Sequence, residues 1–555
     1  MAEPIFKEYD PNQPTFLPPS LNELLGKNHM VRFVNHVIDR MDLDPILDTY
    51  KGGGTSSYHP KMMLKILIFA YVERIHSCRA IAKAVREQIP FMWLAAGHRP
   101  DFRTINHFRK HRLPDGGIKG VFTQVVQMLV DLGLVDLDDY TVDGTALEAN
   151  ARRHSAVWAK NTQRYKQSAI ERIEDYFDQI QQLADLEADQ WENKQAPEEE
   201  SEPRWTADDV EQAARQAEQA LDRREQQLEQ QDREGDDEQE GSDANSLANQ
   251  RKDLAKARTR LRWITDTEHP KLSKYEAQEQ ILGERNSYST TDPDATFMRL
   301  KDQSPFDKLL APAYNLQMGV QNQYILGYSL HSNAADKVNL DEHLDSLSFT
   351  PEWLCGDGGY GSLYNYDDLD ERGITAVIKA PANHRKPKPY SRYAMDYHPE
   401  QDEYSCPQGR RMPLKETKEY TYGPDKQRSA TTRVYECSDC SGCPVRDECT
   451  YGEGNRTIQF TRALEDWKQV MAQRMSQGKG KRMSRYRGAE IESVFGLLKA
   501  NDGLNRLVMR GNQMVDLEVG LKSIAHNIRK MKTDIKNRIL TYIMATMNLQ
   551  LQPTG

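Results

Sequence analysis

The sequence predicts an α/β protein: a mixed sheet with helices packed on it, preceded by an all-α region and interrupted by two long insertions. Three observations predict it. Apolar residues recur at helical spacing through residues 16–135. Beyond them, short strand-like runs alternate with short helical ones, and two of the strands meet an Asp-Gly, at Asp143 and Asp357. Set among these are two segments of foreign composition, a Glu-, Gln-, Arg- and Ala-rich stretch at 156–282 and a cysteine-rich one at 400–450. A chain of 555 residues is also too long for one ordinary domain and invites roughly two to four.

Taken in order, VRFVNHVIDRMDLD and HPKMMLKILIFAYVERI read as amphipathic and buried helices. CRAIAKAVREQ and DFRTINHFRKHRL follow, separated by IPFMWLAAGHRP, whose Pro and Gly punctuate the helices. Asp101 is placed to cap the last of these, and Arg103, His107, Arg109, Lys110, His111 and Arg112 crowd it with basic groups. This pair reads either as a helix-turn-helix-like unit whose basic second helix meets DNA through Arg103, Arg109 and Arg112, or as a helical scaffold with a solvated basic face. DDYTVDGTALEANA then reads as a strand with Tyr140 and Val142 inward, ending at Asp143.

Residues 156–282 read as a long helical hairpin, broken by acidic residues 196–204 and by REGDDEQEGSDAN at 233–245, a mobile tip. AYNLQMGVQNQYILGYSLH reads as a β-hairpin around GVQNQ. A short helix, VNLDEHLDSL, precedes the buried strand of PEWLCGDGGYGS, which ends at Asp357. A helix near 364–371, the strand ITAVIKAP, the cysteine segment, and helices at 482–500 and 512–547 complete the chain. Without the insertions the order is strand, hairpin, helix, strand, helix, strand, helix, which is an RNase H-like arrangement. The expected domains are 1–135, helical and DNA-binding; 136–155 with 286–380, the first part of the core; 156–285, the polar insertion; 381–460, the cysteine-rich insertion; and 461–555, the core helix with basic C-terminal helices.

The carboxylates give that order chemical content. A lone Asp-Gly is ordinarily a turn, but two strand-end aspartates combine here with Glu492 on a later helix. In that helix Ile491, Val494, Phe495 and Leu498 make the apolar stripe, and Glu492, Gly496 and Lys499 make a neighbouring one. Glu490 points elsewhere, about 200° around the axis. Breaking a phosphodiester needs charge neutralisation at phosphorus and an activated oxygen nucleophile. A pair of hard cations held by carboxylates supplies both. Lys499 and Arg487 beside Glu492 would meet phosphates.

Five of the seven cysteines fall between 406 and 449, and Cys437, Cys440, Cys443 and Cys449 read C-x2-C-x2-C-x5-C. That spacing suits a structural zinc site, with Cys406, Cys440, Cys443 and Cys449 the favoured ligands and Cys437 the alternate. Cys78 and Cys355 read as core residues. So few cysteines exclude a disulfide scaffold. The longest apolar stretch, 62–72, is short and contains Lys65, so no membrane span is expected, and the N-terminus lacks a secretory pattern. The expected location is cytoplasmic.

The net charge of −10 conceals a division. Residues 196–245 carry 18 acidic residues against 5 arginines, whereas residues 473–540 carry 15 basic residues against 6 acidic ones. The C-terminal region is therefore suited to a polyanion although the whole chain is acidic.

The chain resembles the DDE transposases of bacterial insertion sequences, in the branch with an InsH-like N-terminal helical domain. The resemblance covers nearly the whole length. LPPSLNELL, NHMVRFVNHVI, YHPKMMLKILIFAY, SCRAIAKAV and RPDFRTINHFRKH resemble the N-terminal domain. TVDGTALEANA and CGDGGYGSLYNYDDL resemble the two aspartate motifs. YRGAEIESVFGLLKANDGLNRLVMRG and LKSIAHNIRKM resemble the Tyr/Arg/Glu/Lys signature and the helix after it. The resemblance implies Asp143, Asp357 and Glu492 as the ligands of two Mg²⁺ ions, with Lys499, Arg487 and Tyr486 near the cleaved phosphate. Lys499 keeps the expected gap of six residues from Glu492. Arg487 departs from the pattern, since four residues separate it from Glu492 where the family has three, and Gly488 takes its usual place.

The implied activity is cleavage of the ends of a mobile element and joining of the freed 3′-hydroxyl to target DNA. The rival readings are a metal-dependent nuclease of the same fold, or an inactive DNA-binding regulator derived from a transposase. The implied partners are transposon-end and target DNA and at least a second copy of the chain on that DNA, within the bacterial nucleoid.

Overall fold

The computed structural model describes residues 20–50, 57–114, 116–184, 205–234, 242–300, 310–379 and 389–550. The chain forms two compact units, Met1–Asn150 with Tyr314–Gly555, and Ala151–Ala313.

The first unit opens with helices α1 (Met30–Asp39), α2 (Pro60–Val72), α3 (Cys78–Glu87), α4 (Phe102–His111) and α5 (Gly117–Asp131). Side-chain caps fix four of their starts: His29, His59, Ser77 and Asp101 each accept from a first-turn amide. Helix α2 is buried over most of its length, as its apolar run requires, and it packs against α1, α3 and α4. Strand β1 (Asp139–Glu148) follows.

The second unit contains β2 (Ala156–Trp158), α6 (Ala159–Ala184), α7 (Ala207–Glu234), α8 (Ser242–Trp263), α9 (His269–Leu282), β3 (Ser287–Ser289) and β4 (Thr296–Arg299). A π turn at Ile264–Glu268 joins α8 to α9. The expected two-helix hairpin is instead a bundle, because α7 also presents an apolar stripe. Val210, Ala214, Ala217 and Leu221 bury against Ile170, Ile173 and Ile180 of α6 and against Leu254, Ala257 and Leu261 of α8. The alanines let the helices approach while diluting the periodicity that the sequence displays. Strands β2 and β3 pair antiparallel from Ala156↔Ser289 to Trp158↔Ser287. The acidic stretch 196–204 lies outside the described residues, as do residues 235–241 of the expected tip, whereas 242–245 begin α8.

The chain returns through β5 (Leu310–Gln321) and β6 (Tyr324–His331), then α10 (Leu340–Asp345), β7 (Trp353–Gly356), α11 (Leu363–Glu371) and β8 (Thr375–Ile378). The sheet runs β6-β5-β1-β7-β8, with β5–β6 antiparallel and β1–β7–β8 parallel. The β5–β6 turn falls at Asn322 and Gln323, both at positive φ (51° and 62°). Gly319 and Gly327 face one another across this hairpin and make a slot for the Tyr140 ring. A Cβ on Gly319 would overlap that ring, and one on Gly327 would lie 2.6 Å from its hydroxyl. Tyr140 is in turn hydrogen-bonded to His343 Nε2 at 2.7 Å. Burial, then the nearby His331, depresses the His343 pKa to about 3, so this imidazole is neutral.

The cysteine-rich region is a separate five-stranded antiparallel sheet of β9 (Asp396–His398), β10 (Glu403–Ser405), β11 (Arg411–Tyr422), β12 (Arg428–Glu436) and β13 (Thr457–Thr461), in the order β13-β12-β11-β10-β9. Helices α12 (Arg462–Ser476), α13 (Gly478–Arg487), α14 (Ser493–Asp502) and α15 (Asn512–Gln550) end the chain, with a second π turn at Gly488–Glu492 between α13 and α14.

Helix α15 is the internal post of the first unit, packed against α1, α2, α5 and β6. Its polar residues are accordingly buried with partners. Asn527 accepts from Ile325 N at 2.9 Å and donates to Ile325 O at 2.8 Å, completing the edge of β6 as another strand would. Glu518 and Lys522, each about 1% exposed, pair at 2.8 Å. Glu518 also accepts from the Val508 and Met509 amides, both at 2.9 Å, which fixes the 503–511 loop. Removing one partner leaves an uncompensated buried charge, so Lys522→Ala should lower stability by about 3–5 kcal/mol. Urea unfolding followed by circular dichroism checks this; a loss below 1 kcal/mol would mean that the pair is not desolvated.

Candidate active site

Strand pairing brings the two aspartates together. β1 and β7 run parallel in the register Asp139↔Trp353, Tyr140↔Leu354, Thr141↔Cys355. Carried on by two residues, this register brings Asp143 level with Asp357. β7 stops at Gly356, so Asp357 lies just past its end, as expected. Asp143 does not end its strand: β1 continues to Glu148 because β5 pairs along its other edge. Asp357 caps the short 3-10 turn Gly358–Tyr360, its Oδ1 accepting from Gly359 N at 2.7 Å. Asp143 is largely buried and its Oδ1 accepts from Gly144 N at 2.8 Å.

Helix α13 lies along this face of the strands, and its rise matches theirs. Lys479 pairs with Asp139 at 2.6 Å, Met483 packs on Cys355, and Arg487 Nη1 donates to Asp143 Oδ2 at 3.2 Å. Eight residues of helix advance about 12 Å and four of strand about 13 Å, so the contacts stay in step to the end of the helix.

Beyond Arg487 the helix changes pitch. In an α-helix a residue five positions on would lie about 140° away. The π turn Gly488–Glu492 closes its ring one residue later, which brings i and i+5 to the same side. Arg487 Nη2 therefore donates to Glu492 Oε1 at 3.1 Å. The additional residue between Arg487 and Glu492 is absorbed by the π turn. Burial alone would lower the Arg487 pKa, but Asp143, Asp357 and Glu492 outweigh it and the pKa is raised. One guanidinium thus stands among all three carboxylates.

The opposite side of the turn is also anchored. Glu490 accepts from Gln323 N at 2.9 Å, and Gln323 Nε2 donates to Ala489 O at 3.1 Å, so the hairpin tip holds the π turn. Ile491, Val494, Phe495 and Leu498 are buried, whereas the Glu492 side chain is 62% exposed. Lys499 is half-buried on α14, two turns beyond Glu492, and Tyr486 is exposed.

Four polar residues beneath this site, Tyr360, Gln317, Asn315 and Asp336, are given no role by the sequence reading. Tyr360 is buried and its hydroxyl donates to Gln317. Burial raises its pKa well above the usual phenol range, with Asp336, Asp143 and Asp357 adding to the effect. Asp336 Oδ1 accepts from Asn315 Nδ2 at 2.9 Å and Gln317 Nε2 at 2.8 Å. The signal that could have exposed them is the placing of Asn315 and Gln317 two apart in the apolar run AYNLQMGVQ, hence on one face of a buried strand.

The basic residues of the N-terminal region divide. Arg103 is exposed on α4. Arg109 is buried and donates to His76 O at 3.1 Å and Asn106 Oδ1 at 3.2 Å. Arg112 donates to Thr49 O and lies 4.2 Å over the Tyr50 ring. The DNA-facing role expected of Arg109 and Arg112 is at odds with this geometry: their charges are spent on holding α4 to its neighbours.

All seven cysteines are free thiols, and Cys78 and Cys355 are buried in the core. Cys437 and Cys440 are buried, while Cys406, Cys443 and Cys449 are partly exposed. Burial raises the Cys449 thiol pKa, with further contributions from Cys440, Cys406 and Cys443, so these four are electrostatic neighbours. Burial likewise pushes Cys437 up to about 11, with Cys440 and Cys406 nearby. Amides of Arg410 and Arg456 point at the Cys406 and Cys440 sulfurs, at 3.4 and 3.3 Å. Among the described residues no group of three or more His, Cys, Asp or Glu is arranged to hold a metal ion, and no helix is long and apolar enough to cross a membrane.

Two family models match the chain. Residues 19–111, which contain α1 to α4, match one described as a transposase domain (DUF772). Residues 405–532 match one described as a transposase DDE domain. The two matches support a DDE transposase of an insertion sequence. Within this transposase the second match contains Glu492, Arg487 and Lys499, whereas Asp143 and Asp357 lie outside it. No curated protein and no solved structure matches the transposase.

Because Glu490 supplies a charged acceptor to the hairpin tip, Glu490→Ala should free the Gln323 amide and loosen the π turn by about 1.5–3 kcal/mol. Hydrogen exchange at 322–324 and 488–492 should then be at least about tenfold faster, with other segments unchanged. Unaltered exchange would show that the turn is held without this contact.

Proposed function

We propose that this transposase cleaves the ends of its mobile element and joins the freed 3′-hydroxyl to target DNA, on an RNase H-like core in which Asp143, Asp357 and Glu492 are the catalytic carboxylates. The observation that carries the reading is the convergence of these three residues on one guanidinium, from two adjacent parallel strands and a covering helix. Arg487 occupies the place of a cation, and an oxygen-only donor set of this kind fits hard divalent ions. Two Mg²⁺ ions held by Asp143, Asp357 and Glu492 would supply charge neutralisation at phosphorus and an activated oxygen nucleophile.

In the cleavage step a water oxygen bonds to phosphorus as the bond to the element's 3′-oxygen breaks. In the joining step that 3′-oxygen bonds to a target phosphorus and displaces the target's own 3′-oxygen. The chain's part is positioning and electrostatics. Arg487, released from the carboxylates, and Lys499 would hold phosphate oxygens, with Tyr486 exposed beside them. The helical region 1–135, through Arg103, and the basic helices of 461–555 would grip the duplex. Segments 136–155 and 286–380 would supply the first part of the core, 156–285 a polar insertion and 381–460 a cysteine-rich insertion, although residues 151–155 and 286–313 cluster with the insertion in the second compact unit. Joining two ends calls for at least two copies on the DNA, within the cytoplasm and its nucleoid.

The test is strand cleavage and joining on DNA carrying the element's ends with Mg²⁺, comparing the natural chain with Glu492→Gln. Joined product should be lost by at least about 10³-fold in the variant, with DNA affinity within twofold. Cleavage without joining would assign a nuclease. No Mg²⁺-dependent product from the natural chain would assign a DNA-binding regulator and remove the three carboxylates from catalysis.

We further assign Cys406, Cys440, Cys443 and Cys449 to one structural zinc, with Cys437 the alternate ligand. Their mutual influence on the Cys449 thiol and the amides aimed at two of the sulfurs support this. Metal analysis of the purified chain should find about one zinc per chain, lost in Cys449→Ser and kept in Cys437→Ser. Loss in Cys437→Ser instead would exchange the ligands, and absence of zinc from the natural chain would remove the site.

A further inference from the structure

We infer that Asp336 is a positioning residue that buttresses the Asp143–Asp357 pair from the opposite face of the sheet. This rests on the reading of that pair as catalytic. Successive strand residues face opposite sides, so where Asp143 turns toward Arg487, the Gly144 position turns toward Asp336 and Gln317. A Cβ on Gly144 would collide with Asp336 Oδ1 and lie 2.5 Å from Gln317 Nε2. A Cβ on Gly359 would lie 3.7 Å from Asp336 Oδ2 and 2.9 Å from Asp357 Oδ1. The Asp336 carboxylate therefore rests on two glycines, one following Asp143 and the other two residues beyond Asp357. Gly144 admits it only for want of a side chain, and Gly359 lies at ordinary contact distance from it.

That carboxylate is held in place from several directions. Its Oδ1 accepts from both Asn315 and Gln317. Gln317 Nε2 also donates to Asn315 Oδ1 at 2.9 Å, and its carbonyl accepts from Tyr360, three residues after Asp357. Asn315 and Asn339 both donate to Asn333 O, at 3.1 and 3.0 Å, bracing the turn that carries Asp336. Asn365 donates to Lys337 O and Tyr360 O, at 2.9 and 2.8 Å, tying the same turn to the Asp357 loop. Asn315, Gln317 and Tyr360 are almost wholly buried, so this network has little water to substitute for a lost partner. A shift of Asp336 is thereby a shift of the Gly144 and Gly359 backbone, and of the two carboxylates attached to it.

The experiment is Mn²⁺ binding to the full chain, read by electron paramagnetic resonance, with DNA affinity and unfolding temperature measured in parallel. Asp336→Ala should weaken Mn²⁺ binding about tenfold and lower kcat with it, leaving KM for DNA within about twofold. Asp336→Asn presents an amide oxygen to the same two donors and should recover binding to within about threefold. If Asp336→Ala does not fold, Asn315→Leu, which removes one donor, should give a smaller loss in the same direction. Natural-level Mn²⁺ binding in folded Asp336→Ala, or in Asn315→Leu, overturns the inference. Asp336→Asn as damaged as Asp336→Ala also overturns it, since charge and not hydrogen-bond geometry would then be at work. The underlying reading fails separately, if Asp143→Asn leaves Mn²⁺ binding unchanged.

Discussion

The site depends on the parallel pairing of two short strands. Once β1 and β7 lie side by side in the register that matches Thr141 with Cys355, two aspartates far apart in sequence become neighbours. Everything else maintains or uses that pairing. Helix α13 reads along it, because a helix and a strand gain nearly equal length over the spacings of their facing residues. Tyr140, one residue into the pairing, locks β1 to the β5–β6 hairpin through the slot between Gly319 and Gly327. The hairpin tip then holds the π turn through Gln323. Strand register and helix pitch are thus linked by a closed circuit of contacts that returns to Glu492.

Much of this could be read from the sequence, and the reasons for the rest are local. Helices α1 to α4, the hairpin, β7, β8 and the buried stripe of Ile491, Val494, Phe495 and Leu498 follow from periodicity alone. Glu490 does point away from Glu492, as helical angles suggest, but it turns to the hairpin tip, a partner that periodicity does not reveal. The insertion's bundle does not follow from periodicity, because alanines on α7 contribute small contacts that barely register as a hydrophobic stripe. Nor does the continuation of β1 past Asp143, since Asp-Gly ordinarily signals a turn and only the neighbouring β5 keeps the strand extended. Arg109 misleads for the opposite reason. A basic residue among basic residues suggests an exposed face, but its guanidinium reaches inward to His76 O and Asn106. Asp336 is invisible to motif reading because its partners come from a strand, a loop and the backbone of two glycines.

Arg487 shows how spacing in sequence differs from position in space. Counted along a regular helix, the fifth residue before Glu492 faces away; through a π turn it faces the same way. A signature defined by residue counts can therefore shift by one without moving the side chains it describes, provided the helix absorbs the difference. A guanidinium bridging two carboxylates also offsets part of their mutual repulsion.

The short β2–β3 ladder has a consequence for how the insertion is accommodated. It zips together residues 156–158, close to the start of the second unit, and residues 287–289, beyond its helices. For the folding core, the span that must be closed before β5 can find β1 is then no longer the contour of the whole excursion but that of the two stems outside the ladder. An excursion whose own ends are fastened can lengthen, shorten or change its surface at small entropic cost to the sheet that hosts it. Such a detour is a natural place for sequence drift, leaving the carboxylates it separates under a constraint of their own.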